Sequence, residues 1–130
     1  MQEVHDFLKK AQTYYLATVE GDQPRVRPFG TIDIFEGKLY IQTAKSKDVA
    51  KQIFANPKIE ISAFEGGSWI RVQANAVEDT RREAKVHMLE SYPMLKDRYS
   101  ADDDNTLVLA LNDGVATISS FAGPPKVIKF

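Results

Sequence analysis

The sequence predicts a mainly β protein, an antiparallel β-barrel of six or seven strands with about three helices at its periphery. Short β-rich segments follow one another closely, turn residues separate most of them, and only three stretches show the spacing of an amphipathic helix. Most connections are too short for the helical crossovers that parallel strands need. Closing an antiparallel sheet into a barrel also removes its exposed edges, so a barrel is the expected architecture.

The first half of the chain contains two of the predicted helices and three of the predicted strands. Apolar residues recur at helical spacing at Val4, Phe7 and Leu8, and Asn56-Pro57 ends the second helix because residues before proline avoid the helical conformation. Residues 36–38 (EGK) form a turn, so the alternating strand before them is the hairpin partner of the strand after them. Helices are therefore expected over residues 1–12 and 46–55, and strands over residues 14–19, 25–35 and 39–43.

The second half of the chain contains the remaining elements. Asn112-Asp113-Gly114 is a strong turn signal between two apolar runs. The acidic segment 100–105 (SADDDN) is expected to be a loop, and it lacks the Gly and the closing Glu of a calcium-binding loop. Strands are expected over residues 58–64, 68–77, 106–111 and 115–121, the last two as a hairpin, with a helix over 81–92 capped by Thr80 and an apolar and basic tail over 126–130.

Composition and charge exclude several classes of function. The 130 residues include no cysteine, so disulfides, thiolate nucleophiles and thiolate metal sites are excluded. The formal net charge of −1 and the lack of a basic stripe argue against a nucleic-acid partner. No apolar run approaches the roughly 20 residues that span a bilayer, and the polar N-terminus lacks the layout of a signal peptide. We therefore expect one cytoplasmic domain, residues 1–130, with no membrane partner and, because His5 and His87 lie on separate predicted helices, no metal site.

Residues 43–48 (TAKSKD) join a predicted strand to a predicted helix start, where free N–H groups and the helix dipole favour an anion. Lysines at a helix N-terminus are unfavourable by a few tenths to about 1 kcal/mol. Lys45 and Lys47 are explained if a phosphate lies between them and the helix, and Ser46 can either cap the helix or bind the ligand. The alternative is two solvated lysines beside an ordinary cap, and these residues alone do not decide between the two.

A nearby arginine favours the phosphate site. Arg25, Arg27 and Thr31 share one face of the predicted strand 25–35. Because that strand is expected to pair with the strand that ends at Thr43, Arg27 is expected to reach the same anion. Its planar fork suits bidentate contact with phosphate, and each charged hydrogen bond contributes roughly 1.5–3 kcal/mol.

One later strand carries a second candidate surface. Trp69 and Arg71 share a face of the strand 68–77, with Gln73 beside them. A flat cofactor needs an apolar plate together with donors directed at its ring, and this face offers both. An ordinary aromatic residue at the end of the barrel or at an interface explains Trp69 equally well.

Six short motifs, taken in order, resemble the pyridoxamine 5′-phosphate oxidase-like family of FMN-binding split barrels. The resemblance covers about residues 7–80, and the closing residues 126–130 (KVIKF) also resemble small members of the family. The motifs are residues 15–19 (YLATV), 21–30 (GDQPRVRPFG), 37–43 (GKLYIQT), 46–47 (SK), 56–61 (NPKIEI) and 69–72 (WIRV).

The resemblance implies a split β-barrel that forms a homodimer with two FMN sites at the subunit interface. It implies an FMN-dependent oxidoreductase, in which the flavin exchanges a hydride with a small-molecule electron donor or acceptor. Arg27 and Lys47, with Thr43 and Ser46, would hold the FMN phosphate, and Trp69 and Arg71 would approach from the partner subunit. The loop from Thr43 to Ser46 is one residue shorter than in the family, which leaves open whether Lys45 or Lys47 contacts the phosphate. The complete set of candidate cofactor-binding residues is Arg25, Arg27, Phe29, Gly30, Thr31, Gln42, Thr43, Lys45, Ser46, Lys47, Trp69 and Arg71.

The activity itself stays open at this point. Pyridoxamine 5′-phosphate oxidases carry further C-terminal sequence with an Arg and a His that hold the pyridine substrate, and no comparable pair occurs before Phe130. Vitamin B6 oxidation is therefore not the expected activity. One alternative is a dimer that binds or stores FMN, or another cofactor, without turnover. Another is a barrel that has lost its cofactor and serves as an interaction or regulatory dimer. The sequence identifies no catalytic acid or base.

Overall fold

In the computed structural model, which describes residues 1–130 throughout, every strand belongs to one antiparallel sheet. The chain begins with a helix, and two further α-helices and a 3₁₀ helix interrupt the succession of strands. The elements are α1 (Gln2–Ala11), β1 (Tyr14–Glu20), β2 (Gln23–Phe29), β3 (Asp33–Phe35), β4 (Lys38–Ala44), α2 (Asp48–Ala55), β5 (Lys58–Glu65), β6 (Ser68–Glu78), α3 (Arg82–Ser91), the 3₁₀ helix (Pro93–Asp97), β7 (Thr106–Ser120) and β8 (Lys126–Lys129).

The sheet has two free ends, which is why the barrel is split. Its strand order is β2-β1-β5-β6-β7-β4-β3, with β8 added alongside β7. Although β2 and β3 follow one another in the chain, they lie at opposite ends of this order and do not pair. The predicted mainly β split barrel with three peripheral helices is therefore confirmed, with eight strands instead of six or seven.

The predicted strand 25–35 is wrong, because the chain leaves the sheet after Phe29. The buried Tyr14 hydroxyl donates to the Thr31 carbonyl at 2.5 Å. The Gln42 backbone N–H donates to Thr31 Oγ1 at 3.0 Å. These bonds hold residues 30–32 in a connection that crosses from one end of the sheet to the other. As a result β2 pairs with β1, and only the short β3 forms the expected hairpin with β4.

The predicted hairpin of strands 106–111 and 115–121 is also wrong, since β7 runs through this segment without reversing. Asp113 has a positive φ of 54°, and the β6–β7 register shifts between Gln73 and Asn75 on the facing strand. This geometry is a β-bulge, which bends a strand without ending it. Beyond the bulge, β7 pairs with β8, which lies within the predicted tail.

Two predicted helix starts are displaced. Lys47 and Arg81 occupy the N-cap positions of α2 and α3, and neither helix start has a side-chain cap hydrogen bond. Ser46 and Thr80 are therefore not caps. The Ser46 backbone N–H instead donates to Asn105 Oδ1 at 3.0 Å, which ties the turn before α2 to the start of β7.

The helices close the core from outside the sheet. Val4 and Leu8 of α1, together with Val49 and Ile53 of α2, are buried in the main apolar cluster. Each such side chain contributes about 1.5–3 kcal/mol when it leaves water. A second, smaller cluster joins Met88 of α3 to residues of β4 and β7. None of the helices combines the length and hydropathy that a membrane-spanning helix requires.

Candidate functional site

A cleft of about 520 Å³ opens beside the split in the barrel. One side is formed by the end of β2 and the connection after it, another by β4 and the start of α2, and the third by the segment that contains the 3₁₀ helix. The lining residues are Arg27, Pro28, Phe29, Gly30, Thr31, Gln42, Thr43, Lys47, Val49, Tyr92, Met94, Leu95, Asp97, Arg98 and Tyr99.

The structure brings seven of the twelve candidate cofactor-binding residues together in this cleft. It does so although β2 is not the hairpin partner of β4, because both strands contribute residues to the lining of the cleft. The seven are Arg27, Phe29, Gly30, Thr31, Gln42, Thr43 and Lys47.

The other five candidates lie outside the cleft. Arg25 pairs with Glu20 at 2.8 Å, and Lys45 pairs with Glu78 at 3.2 Å, so both cations have carboxylate partners on the surface. The Ser46 side chain is exposed and makes no hydrogen bond. Trp69 and Arg71 lie on the outer face of β6, where the Trp69 ring packs 5.1 Å from the ring of Phe121. The remaining members of the predicted set are thus Arg25, Lys45, Ser46, Trp69 and Arg71, none of which lines the cleft.

Arg27 is the half-buried cation at one end of the cleft. Its Nη1 donates to Thr18 Oγ1 at 2.8 Å and to the Leu16 carbonyl at 3.2 Å, while Nη2 donates to Gln52 Oε1 at 2.6 Å. No carboxylate forms a salt bridge with it. Burial lowers the pKa of Arg27, although a guanidinium in a protein stays protonated. The side chain is therefore a fixed positive charge that forms no direct ion pair with a carboxylate.

Lys47 supplies a second cation at the start of α2. Its ammonium is exposed, and it too forms no salt bridge. Arg27 and Lys47 line both the cleft and the adjoining hollow beside the first turn of α2. A helix start without a side-chain cap leaves N–H groups that attract anions. This end of the cleft is consequently suited to a phosphate group.

Phe29 and the connection over residues 30–32 form the floor of the cleft, and Tyr14 holds this floor in place from beneath. The buried Tyr14 ring packs 6.0 Å from the ring of Phe29, and its hydroxyl holds the Thr31 carbonyl. Burial raises the pKa of Tyr14 well above 10.0, so this hydroxyl remains a hydrogen-bond donor. Gly30 has open space around it, since a Cβ there would meet no neighbouring atom closer than 3.7 Å. The fold itself therefore does not require a glycine at this position, which leaves room for a ligand close to the backbone.

The third side of the cleft, here called the wall, is formed by residues 92–99, which the sequence did not identify as part of a site. The Tyr92 hydroxyl donates to the Ile32 carbonyl at 3.1 Å and accepts from the Ile32 N–H at 3.0 Å, so this wall is bonded to the floor. The Lys9 ammonium lies 3.9 Å from the centre of the Tyr92 ring. Met94 is 73% exposed at the rim. Apolar and aromatic residues directly after the helix-ending Pro93 were the signal that could have identified this wall.

A carboxylate–histidine contact supports the wall from behind. The buried Asp33 of β3 accepts a hydrogen bond from Ser91 Oγ at 2.9 Å and lies 2.6 Å from His87 Nδ1. The serine contacts the carboxylate and not the imidazole, so these residues do not form the arrangement of a nucleophilic triad. They attach α3 to β3 and thereby fix the segment that follows α3.

Comparison with known proteins agrees with the sequence resemblance. The family model described as pyridoxamine 5′-phosphate oxidase matches residues 1–112. The crystal structure of a NimC/NimA family protein from Clostridium acetobutylicum is 45% identical, with a TM-score of 0.97, and the match covers 100% of this chain and 92% of that one. No curated protein sequence matches the chain significantly.

More distant structures share the fold alone. General stress protein 26 from Bacillus anthracis is 18% identical with a TM-score of 0.75, and the match covers 99% of this chain and 98% of that one. The heme storage protein HutZ from Vibrio cholerae is 17% identical with a TM-score of 0.68, and the match covers 85% and 87% of the two chains. The match over residues 1–112 and the 45% identical relative lead to one conclusion: the chain belongs to the pyridoxamine 5′-phosphate oxidase family.

Proposed function

We propose that this protein binds FMN in the cleft and acts as an FMN-dependent oxidoreductase on a small molecule. The observation that carries the proposal is the pair of cations, Arg27 and Lys47, that meet at one end of the cleft without a carboxylate partner. A flavin phosphate satisfies both charges and the uncapped start of α2. Thr43 and Gln42 continue the cleft from this end toward the floor.

The remainder of the cleft fits a flat ring with polar edges. Phe29, Tyr92 and Tyr99 contribute aromatic side chains to the lining of the cleft, and the open space at Gly30 allows close approach to the backbone. Thr31 is held in place by its bonds to Gln42 and Tyr14, so the floor is organised before any ligand arrives. When bound, the flavin would supply hydride acceptance and donation, whereas the protein would anchor the phosphate, orient the ring and restrict water.

We further propose that the protein is a homodimer in which a second copy completes the site. The outer face of the sheet carries exposed aromatic residues: Phe64 is 65% exposed and Phe121 is 93% exposed, and both adjoin Trp69. Clusters of exposed aromatic side chains are uncommon on monomeric proteins and usually mark an interface. Arg71 has no salt-bridge partner within its own chain and lies on the same face. Sedimentation at micromolar concentration tests this proposal, and a monomer with bound FMN would contradict it.

Binding without turnover is the alternative that shares the same site. HutZ, with which this chain shares the fold, is a heme storage protein. The cleft contains no histidine and no cysteine, and the only residues of haem-ligand type in it are Tyr92, Met94 and Tyr99 of one wall. The cationic end and the residues of the floor therefore favour a flavin over a haem.

Titration with FMN and with riboflavin, the same ring system without the phosphate, tests the proposal. A ligand at 100 times its dissociation constant stabilises the folded state by about 2.7 kcal/mol. For a chain of this size we expect FMN to raise the melting temperature by roughly 8 °C or more, and riboflavin to raise it much less. No shift with saturating FMN would refute the proposal. Reduction of bound FMN by nicotinamide donors at a rate no greater than that of free FMN would support binding without turnover.

A further inference from the structure

Two buried polar side chains, Thr18 of β1 and Gln52 of α2, make hydrogen bonds that converge on Arg27. Thr18 is 2% exposed and Gln52 is 6% exposed. Thr18 Oγ1 donates to Gln52 Oε1 at 2.5 Å, and each of these oxygens also accepts a hydrogen bond from the guanidinium. Burying a hydroxyl and an amide is costly unless both are hydrogen-bonded, so the three side chains form one closed triangle of bonds.

The triangle occupies one edge of the guanidinium and leaves another edge free. With the Leu16 carbonyl included, the protein uses both N–H groups of Nη1 and one N–H group of Nη2. The Nε–H and the second Nη2–H make no hydrogen bond to the protein. In a planar guanidinium these two N–H groups are parallel and match two oxygens of one phosphate group. The side chain is thus fixed with a complete bidentate edge available for a ligand.

The side chains that bond to Arg27 are neutral and therefore leave its positive charge available to a ligand. Gln52 accepts from the guanidinium as a neutral amide, and its Nε2 lies 3.5 Å from Glu20 Oε2. Glu20 is itself paired with Arg25. A carboxylate at position 52 would bind the guanidinium more strongly but would neutralise it and compete with an anion. The other charged neighbours are Lys47 and Asp48 at the start of α2, which face the same hollow.

We propose that Thr18 and Gln52 are positioning residues, which hold the Arg27 guanidinium so that its free edge binds the phosphate of the ligand. This inference rests on the proposed FMN site and adds a specific device to it. The two residues contact the arginine and not the ligand. Their contribution is therefore specific for the phosphate and not for the ring.

The test compares FMN with riboflavin in wild-type protein and in four variants. The readout is the ratio of the two dissociation constants, because loss of stability alone lowers both affinities together. Gln52→Glu is expected to lower the preference for FMN at least about tenfold, and Gln52→Met, which removes the acceptor, several-fold. Thr18→Val is expected to lower the preference for FMN several-fold, whereas Thr18→Ser, which keeps the hydroxyl, is expected to keep that preference.

A matched control and the contrary outcomes complete the test. Gln23→Glu adds the same charge on an exposed position of β2 and should change the preference less than about twofold. If wild-type protein binds FMN no better than riboflavin, the proposed phosphate site is wrong. If wild-type protein prefers FMN but the Gln52 and Thr18 variants keep that preference within twofold, the positioning role is overturned and the FMN site stands. Gln52→Met keeps the length of the buried side chain and decides the matter if Gln52→Glu does not fold.

Discussion

The variant Arg27→Ala tests whether FMN binding depends on this one guanidinium or only on the overall positive charge of β2. Two N–H groups of its guanidinium are free to reach a ligand, and hydrogen bonds to charged groups contribute about 1.5–3 kcal/mol. Because about 1.4 kcal/mol corresponds to a factor of ten in affinity, the loss of one such hydrogen bond should weaken FMN binding about 10- to 150-fold, and Arg27→Ala, which removes both, should weaken it at least that much. Lys47 remains in the variant, so weak binding should persist. The dissociation constant is measured by quenching of flavin fluorescence.

The neighbouring arginine on the same strand provides the control. Arg25 borders the adjoining hollow but is exposed, paired with Glu20 and outside the cleft, so Arg25→Ala should change the dissociation constant less than about threefold. Arg27→Ala also removes three internal hydrogen bonds and should lower the free energy of unfolding by roughly 1–3 kcal/mol, which urea denaturation measures separately. An unchanged dissociation constant in Arg27→Ala, or an equal loss in both variants, would refute the assignment of the phosphate to Arg27.

Three further predictions concern the β7 bulge, the acidic loop and the wall of the cleft. Gly114→Ala places a Cβ against the Phe130 ring and should destabilise the fold by about 1–3 kcal/mol in urea denaturation, with partial recovery when Phe130 is also truncated. Burial would raise the pKa of Asp103, but hydrogen bonds from three backbone N–H groups outweigh it and lower that pKa from 3.8 to about 2. The carboxylate therefore stabilises the fold above about pH 4, and this stabilisation is lost as the pH falls toward 2. The difference in unfolding free energy between wild type and Asp103→Asn should shrink over that interval, and a constant difference would contradict this. Tyr92→Phe removes the hydroxyl bonded to Ile32 and should cost about 1 kcal/mol, with weaker FMN binding if the wall loosens; unchanged stability would show that the bond is dispensable.

Local patterns predicted the elements whose partners are close in sequence. Strands 58–64 and 68–77 were placed within one residue at each end because their hairpin partner is the next segment of the chain. Helix α1 and the end of α3 before Pro93 also follow from local spacing and from the conformational limits of proline. In these segments the residue pattern and the final pairing agree.

The errors arose where pairing is decided by distant residues. Asn112-Asp113-Gly114 is an ordinary turn signal, yet β7 continues through this segment and pairs with β6 both before and after it. Gly114 is needed for another reason, since the Phe130 ring lies where a Cβ would be. The backbones of residues 114 and 130 also exchange hydrogen bonds of 2.8 and 2.9 Å. No local rule links two residues so far apart in the chain, so a bulge was mistaken for a reversal.

The same limit explains which site residues were predicted. Arg27 and Lys47 have chemistry that is visible in the sequence, because a cation near a helix start suggests an anion. Thr18 and Gln52 do not: a threonine in a strand and a glutamine in a helix are ordinary residues. Their roles depend on the packing of α2 against β1, which brings both oxygens to one guanidinium. The wall after Pro93 was missed because its residues have neither helical nor strand periodicity.

The incomplete closure of the sheet and the presence of the cleft have one origin. Pro24 and Pro28 lie in β2, and proline, which lacks an N–H, is tolerated in sheets at an edge. The two prolines lack N–H groups and therefore disfavour pairing on the free edge of β2, and β3 lies at the other end of the sheet. Arg27 lies on this edge strand and lines the cleft together with residues of β4, of the floor and of the wall. A substitution that allowed β2 to pair on its free edge would therefore favour closure at the expense of the site.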